Sequence, residues 1–247
     1  MNFLFIFFVT LASTFLSAMS GGGASTINLP VFLMLGIPFP LATSVQKCSS
    51  ACWVLPAARN YLKNRKVDWM FIIVFSLLGL IGVLAAVSII VGVDQAILKR
   101  VVGVLILVFV LHTYFKKDLG LHEEKNPSKA RRIASYPMGL VLGFYEGIFG
   151  AGNAIAFSIW TMYTRGYDLL RAMGHYYAVS FSWTLATAIL LAYKGVFDLW
   201  LTIPAILGGI VGGHLGSAFA VYKGNTFVKN VFVVIGGLLG LKLVIGV

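Results

Sequence analysis

The chain reaches Lys47 before its first charged side chain, and the middle of that uncharged run holds Ser20-Gly21-Gly22-Gly23-Ala24-Ser25-Thr26, followed by Pro30. An uncharged stretch of this length belongs in lipid. As one straight helix, residues 3–36 would extend about 50 Å, against roughly 30 Å of hydrocarbon. Three consecutive glycines offer a break, because glycine is disfavoured inside a helix. Opened backbone at membrane depth is tolerated only inside protein or beside a wet cavity. The chain is therefore expected to open its backbone where a small polar solute can bind, which points toward a transporter.

Composition agrees with a lipid environment. Of 247 residues, 59% are hydrophobic and 11% charged, against about 25% charged in a soluble domain. The apolar runs are long and continuous, which excludes the alternating ten-residue segments of a β-barrel. The fold class expected is an all-α polytopic membrane protein. A net charge of +11 raises nucleic acid as a partner. The basic residues, however, lie mostly in short loops between apolar spans, as the positive-inside bias places them, so no nucleic acid is expected. Cys48 and Cys52 share one helix face and, with no further Cys or paired His nearby, read as small core residues rather than a metal or redox pair. No cofactor, metal site or catalytic set is expected. Residues 1–20 lack the basic start of a signal peptide, and their apolar pattern continues past the glycines, so they read as mature sequence.

The apolar spans are 3–36, 41–62, 69–92, 98–115, 136–165, 172–193, 199–221 and 226–245, with 3–36 and 136–165 each broken by glycines. The polar stretch Lys116 to Arg132 is the seam, giving a first transmembrane repeat (1–115), a basic cytoplasmic loop (116–135) and a second repeat (136–247). Gly150-Ala151-Gly152-Asn153 follows the first glycine run at an offset of 129, and with one inserted residue Gly36, Trp53, Asp68, Gly79 and Gly82 match Gly166, Trp183, Asp198, Gly209 and Gly212 at 130. Each four-segment repeat thus starts with a glycine-broken helix or a re-entrant hairpin. Transporters are often built so, with interrupted helices meeting near the midplane. If the broken segments cross the bilayer, the halves are parallel and the Lys and Arg residues other than Lys47 divide 12 to 6 between the two sides. If they are hairpins, the halves are inverted and the division is 14 to 4, which the positive-inside bias favours.

Each break starts a helix whose first amides lack intrahelical partners and whose dipole is positive there, an arrangement suited to an anion. Gly21, Gly22, Gly23, Gly150 and Gly152 supply the backbone, with Ser20, Ser25, Thr26, Asn28 and Asn153 as neutral donors. The alternative for these glycines is close helix packing. Thr43, Gln46 and Ser50 share a face with Lys47 at its edge. Lys47 either faces the cavity or a partner, or snorkels to the interface. Tyr176 and Tyr177 align with Gln46 and Lys47, and His175 shares a face with Arg171 and Ser182. His175 is a candidate substrate ligand and proton carrier, or a structural histidine. Glu146, four residues before Gly150, aligns with Ser17. It is the leading proton-coupling candidate, with pairing to Lys47 or His175 as the structural alternative. His214 reads as a helix-contact residue, and Asp68 and Asp198 as helix caps.

The glycine break with Pro30, then Gly36, Ala42-Thr43-Ser44 and Val67-Asp68-Trp69, resembles the TauE/SafE family of sulfite exporters over nearly the whole chain. The resemblance implies a bacterial inner-membrane protein that moves small sulfur-containing anions (sulfite, sulfonates, sulfoacetate), coupled to an ion gradient. It implies that Gly21, Gly22, Gly23, Pro30, Thr43 and Ser44 line or shape the site together with Gly150 and Gly152. This chain departs from the family at Gly150-Ala151-Gly152-Asn153, which stands in place of a triple glycine and follows Glu146. The expected function is a secondary transporter of such anions, with a passive anion channel or an intramembrane enzyme as competing classes. The expected partners are the anionic substrate and the lipid bilayer, and a homodimer is left open.

Overall fold

The computed structural model describes residues 3–21, 24–89, 100, 103–104, 107–108, 110–111, 113–115, 118–124, 126–148 and 150–245, and no strand occurs among them. The helices are α1 (Phe3–Ser20), α2 (Ser25–Met34), α3 (Phe39–Leu62), α4 (Trp69–Ile89), α5 (Lys129–Ala134), α6 (Met138–Ile148), α7 (Asn153–Arg165), α8 (Leu169–Tyr193) and α9 (Leu199–Ile245). Described residues within 100–115 are helical as well. α9 is interrupted at Gly224, where φ is 81°. Among the described residues, α1, α4, α8 and α9 are long and apolar enough to cross a membrane. α3 is as long but buries Thr43, Ser44, Gln46, Lys47, Ser49 and Ser50, so its polarity points inward. The polar seam contains one short helix, α5, capped by Ser128 accepting from the Arg131 N–H at 3.3 Å.

Close backbone approaches fix how the helices run. A Cβ placed on Gly208, Gly212 or Gly216 of α9 would lie 2.2–2.3 Å from the carbonyl oxygens of Phe7, Leu11 and Phe15. The contacts advance together, so α1 and α9 are parallel. In the same way Gly139, Gly143 and Gly147 of α6 pack on Phe75, Gly79 and Val83 of α4. Small residues here let two backbones approach within van der Waals contact, which is how helices gain packing energy where lipid offers no hydrophobic drive.

α3 runs parallel to α9, with Ser49 Oγ donating to Ala205 O at 2.6 Å and Asn60 Nδ2 to Ser217 Oγ at 2.9 Å. α8 runs parallel to α4, with Trp183 Nε1 donating to Ser76 O at 3.0 Å and Lys194 Nζ to Val87 O at 3.4 Å. α3 and α8 oppose each other: Leu62 sits on Gly174 near the start of α8, while Trp53, earlier in α3, packs on Tyr177. Because α1 and α3 point the same way, α2 must return between them, and α7 likewise returns between α6 and α8. The two glycine-broken segments are helical hairpins. Two bundles result, α1, α2, α3 with α9, and α6, α7, α8 with α4. They meet along α3 and α8, over a buried aromatic layer that includes Tyr61, Phe71, Phe75, Phe157, Tyr177 and Trp183.

Gly143→Leu is expected to force α4 and α6 apart, since its Cβ would lie 2.1–2.5 Å from the backbone of Gly79. Overpacking of this kind costs about 1–3 kcal/mol or more. The thermal midpoint of the detergent-solubilised protein should fall sharply. Gly237→Ala, whose Cβ finds only an ordinary contact at 3.9 Å, should leave it within error.

Candidate functional site

The two hairpin turns meet inside the protein. Gly21 has a positive φ of 67° that lets α1 end, and a Cβ there would lie 3.2 Å from Ala154 at the start of α7. Gly150 and Gly152, at φ 76° and 74°, make the second turn, and Gly152 is the left-handed residue before α7. Between the turns lies a cavity of about 30 Å³, room for about two water molecules. Ser17, Gly21, Ala24 and Ser25 line it from the first hairpin, and Glu146, Gly150 and Ala154 from the second. Gln46, Ser50 and Trp53 of α3 and Tyr176, Tyr177, Ser180 and Thr184 of α8 close its sides. α2 and α7 both begin at this cavity. The first-turn amides of a helix have no intrahelical acceptor, and the positive ends of two helix dipoles converge there.

One polar cluster ties the second hairpin to α3. Lys47, 1% exposed, donates from Nζ to Glu146 Oε1 at 2.8 Å and to the Glu146 carbonyl at 2.6 Å. The other carboxylate oxygen of Glu146 accepts from Asn153 Nδ2 at 2.8 Å and from the Tyr176 hydroxyl at 3.2 Å. Asn153 Nδ2 also reaches Leu142 O at 3.1 Å. An ion pair taken out of water must be well hydrogen-bonded to persist, and this one is. The first hairpin is held in a corresponding way. Tyr177 donates to Ser17 O at 3.0 Å, and Tyr61 to Ala18 O at 2.6 Å. Lys47 and Tyr177 stand 130 positions apart, and their acceptors Ser17 and Glu146 stand 129 apart. Each residue reaches across to the carbonyl end of the opposite broken helix, where unpaired carbonyls collect.

Three buried polar atoms around the cavity have no hydrogen-bond partner among the described residues: Trp53 Nε1, Gln46 Oε1 and Asn153 Oδ1. Unpaired buried polar atoms are uncommon and ask for an explanation. Trp183, the counterpart of Trp53, has its indole N–H satisfied by Ser76 O, so the free donor is particular to the cavity wall.

The expected site residues divide as follows. Gly21, Ser25, Gln46 and Gly150 line the cavity, and Lys47, Glu146 and Asn153 form the cluster at its edge. Gly152 shapes the turn. Thr43 and Ser44 are buried but do not line the cavity, and the Thr43 hydroxyl bonds back to Phe39 O at 2.8 Å. Gly22, Gly23 and the side chain of Thr26 lie outside the described residues. His175 is not brought to the cavity. Its Nε2 accepts from the Asp68 N–H at 3.0 Å and its Nδ1 lies 2.8 Å from Arg171 O, which fixes the ring between the α3–α4 loop and α8. Of the residues that wall the cavity, Trp53, Tyr176 and Tyr177 were visible in the sequence only as matched positions.

At the end of the molecule where His175 sits, charged residues bridge the two sequence halves. Arg65 holds Asp168 at 2.6 Å, Arg171 holds Glu123 at 3.1 Å, and Arg165 and Arg132 both reach Asp68. Burial alone would raise the Asp68 carboxyl, but the Arg165 guanidinium and the Phe71 N–H outweigh it and hold the group below its usual range. Its contribution to stability is therefore intact at neutral pH and lost only as pH falls through that lowered value. Asp68 and Asp198 each accept from the third amide on, Phe71 N at 3.1 Å and Leu201 N at 3.0 Å, which makes both helix caps.

Buried ion chemistry beside a water-sized cavity, at the junction of two interrupted helices in an apolar bundle, defines a membrane transporter. A family model described as "Sulfite exporter TauE/SafE" matches residues 5–243, and the chain belongs to that family. It is 30% identical over 247 residues to a "Probable membrane transporter protein" of Haemophilus influenzae, covering 97% of this chain and 93% of the relative. It is 24% identical to "Probable membrane transporter protein ORF9" of a Sinorhizobium species, covering 97% and 91%. The identity to "Probable membrane transporter protein YfcA" of Escherichia coli K12 is 21%, covering 96% and 88%. No solved structure matches the chain.

Removing one member of the buried pair strands the other charge, at a cost of about 3–5 kcal/mol. Lys47→Met and Glu146→Gln should each lower the thermal midpoint of the purified protein. The double variant should recover a large part of the loss, read as a coupling energy in a double-mutant cycle.

Proposed function

We propose that the chain is a secondary transporter of small sulfur-containing or organic oxyanions in the bacterial inner membrane, coupled to protons through Glu146. The observation that carries this reading is the meeting of the two hairpin turns at a cavity lined by Glu146, whose carboxylate is paired with the buried Lys47 at the cavity's edge. An anion has the same claim on Lys47 as Glu146 has. While Glu146 is ionised, the pair is neutral and an entering anion gains nothing from it. Protonation of Glu146 leaves the ammonium uncompensated, and an anion then takes its place beside Lys47, the Trp53 N–H and the first amides of α2 and α7. Loss of the proton restores the internal pair and expels the anion. Anion and proton thus travel together because they compete through one ammonium.

A cavity for about two waters is too small for a polyatomic anion, so binding requires the two bundles to part along α3 and α8. Rocking of one bundle against the other exposes a site of this kind to each side in turn. The ion pair Arg65–Asp168 ties the α3–α4 connection to the start of α8 at one end of that seam and holds it closed in this conformation. The same end gathers Arg131, Arg132, Arg171 and Lys229 with the central polar stretch. The positive-inside bias therefore assigns it to the cytoplasm, in keeping with inverted halves.

Flux of sulfite, sulfoacetate and simple carboxylates into vesicles of purified protein tests the reading. Saturable uptake of one of these that follows an imposed proton gradient is expected. Glu146→Gln should retain anion exchange but lose the response to the gradient, and Gly150→Leu, strained at positive φ and pressed on Glu146, should abolish flux while remaining inserted. Non-saturating flux indifferent to pH would indicate a channel instead. Topology is checked by thiol labelling of intact cells: a cysteine at Tyr193, which is 90% exposed, should react with an impermeant reagent from outside, and one at Lys66 should not.

A further inference from the structure

Several cations at the basic end have carboxylate partners: Arg65, Arg131, Arg132, Arg165 and Arg171 are all paired. Arg59 and Lys63 are unpaired cations that share one groove. They lie one turn apart on the outer face of α3, both exposed, and neither makes an ion pair or a side-chain hydrogen bond among the described residues. They border an open groove of about 660 Å³ between α3 and α9, completed by Leu55, Pro56, Asn60 and His214. Among the described residues, no acidic side chain lines it. Asn60 is held there by His214 O at 3.0 Å and Ser217 Oγ at 2.9 Å.

The groove is polar at one end only. Leu55, one turn before Arg59, is 46% exposed, and the outer face of α9 continues with Leu207, Val211 and Leu215, at 47%, 40% and 50%. A surface that passes from two unpaired cations to bare aliphatic side chains within a few turns fits a molecule with an anionic head and a hydrocarbon tail. Basic pockets between transmembrane helices on the cytoplasmic side bind anionic lipid head groups. We propose that this groove is a binding site for an anionic glycerophospholipid, with its phosphate on Arg59 and Lys63, Asn60 and His214 beside the glycerol, and one acyl chain along Leu55 and α9. A zwitterionic lipid fits less well, because its ammonium group would find no carboxylate among the described residues of the groove. The site is separate from the cavity between the hairpins, so it stands or falls independently of the transported solute.

The test is native mass spectrometry of the full-length detergent-solubilised protein, titrated with phosphatidylglycerol or with phosphatidylethanolamine. Phosphatidylglycerol should be retained in preference. At about 1 kcal/mol for each cation near the surface, the double variant R59Q/K63Q should bind it on the order of 30-fold more weakly. R59K/K63R, which keeps both charges, should bind as the wild type does, and K66Q, at the same end but outside the groove, should serve as a charge control with unchanged retention. An unchanged thermal midpoint in R59Q/K63Q would show that the loss is not unfolding. Equal retention of the two lipids, or full retention by R59Q/K63Q, would overturn the proposal. Displacement of the lipid by millimolar inorganic phosphate would also overturn it, by reassigning the groove to free anions.

Discussion

The salt link between Lys47 and Glu146 governs the interior of this protein. Placing an ammonium and a carboxylate out of water costs several kcal/mol for each ion. Only a partner at hydrogen-bond distance, with the remaining donors and acceptors satisfied, offsets that cost. Here the partner is 99 residues away in sequence. The second hairpin can therefore reach its position only if α3 of the first half is in place. The ammonium answers two needs at once, since it neutralises the carboxylate and satisfies a carbonyl at the end of α6.

That double duty explains why the interrupted helices are tolerated at membrane depth. A helix that stops inside hydrocarbon leaves carbonyls without partners. At the end of α1 the Ala18 carbonyl accepts from the Tyr61 hydroxyl and the Ser17 carbonyl accepts from Tyr177 as well as from the Gly21 N–H; at the end of α6 the Glu146 carbonyl accepts from Lys47. The corresponding positions use a neutral phenol on one side and a cation with its counter-ion on the other. The site is thus symmetric in architecture and asymmetric in charge.

Much of the fold was legible from local signals. Among the described residues, uncharged runs gave the helices to within a few residues, and the glycine runs gave both interruptions, because each depends on residues adjacent in sequence; most of the expected span 98–115 lies outside the described residues. The 129–130 spacing aligns Lys47 with Tyr177 and Ser17 with Glu146 in the sequence itself. What could not be read was which partner each polar residue finds. Trp53, Tyr176 and Tyr177 resemble core aromatics, and only the bundle shows that they wall a cavity. His175 was misplaced by reasoning from a helix face alone. Tyr176 and Tyr177, the next two residues of α8, line the cavity, whereas the His175 ring leaves the helix on another face and is held by the Asp68 N–H beside Arg171 O.

The exchange of helices between the bundles has a further consequence. α9 leaves its own sequence half to lie on α1, and α4 leaves its half to lie on α6, each along a row of glycines that no side chain can fill. Neither half of the chain, made alone, would contain a partner for those bare backbone ridges. Synthesis of the first half must therefore leave α1 and α4 only provisionally seated in the bilayer until their counterparts emerge. The short connections at 63–68 and 194–198 are then more than turns: each is a tether carrying the chain from one bundle to the other. Both contain a residue at positive φ, Asn64 and Gly195.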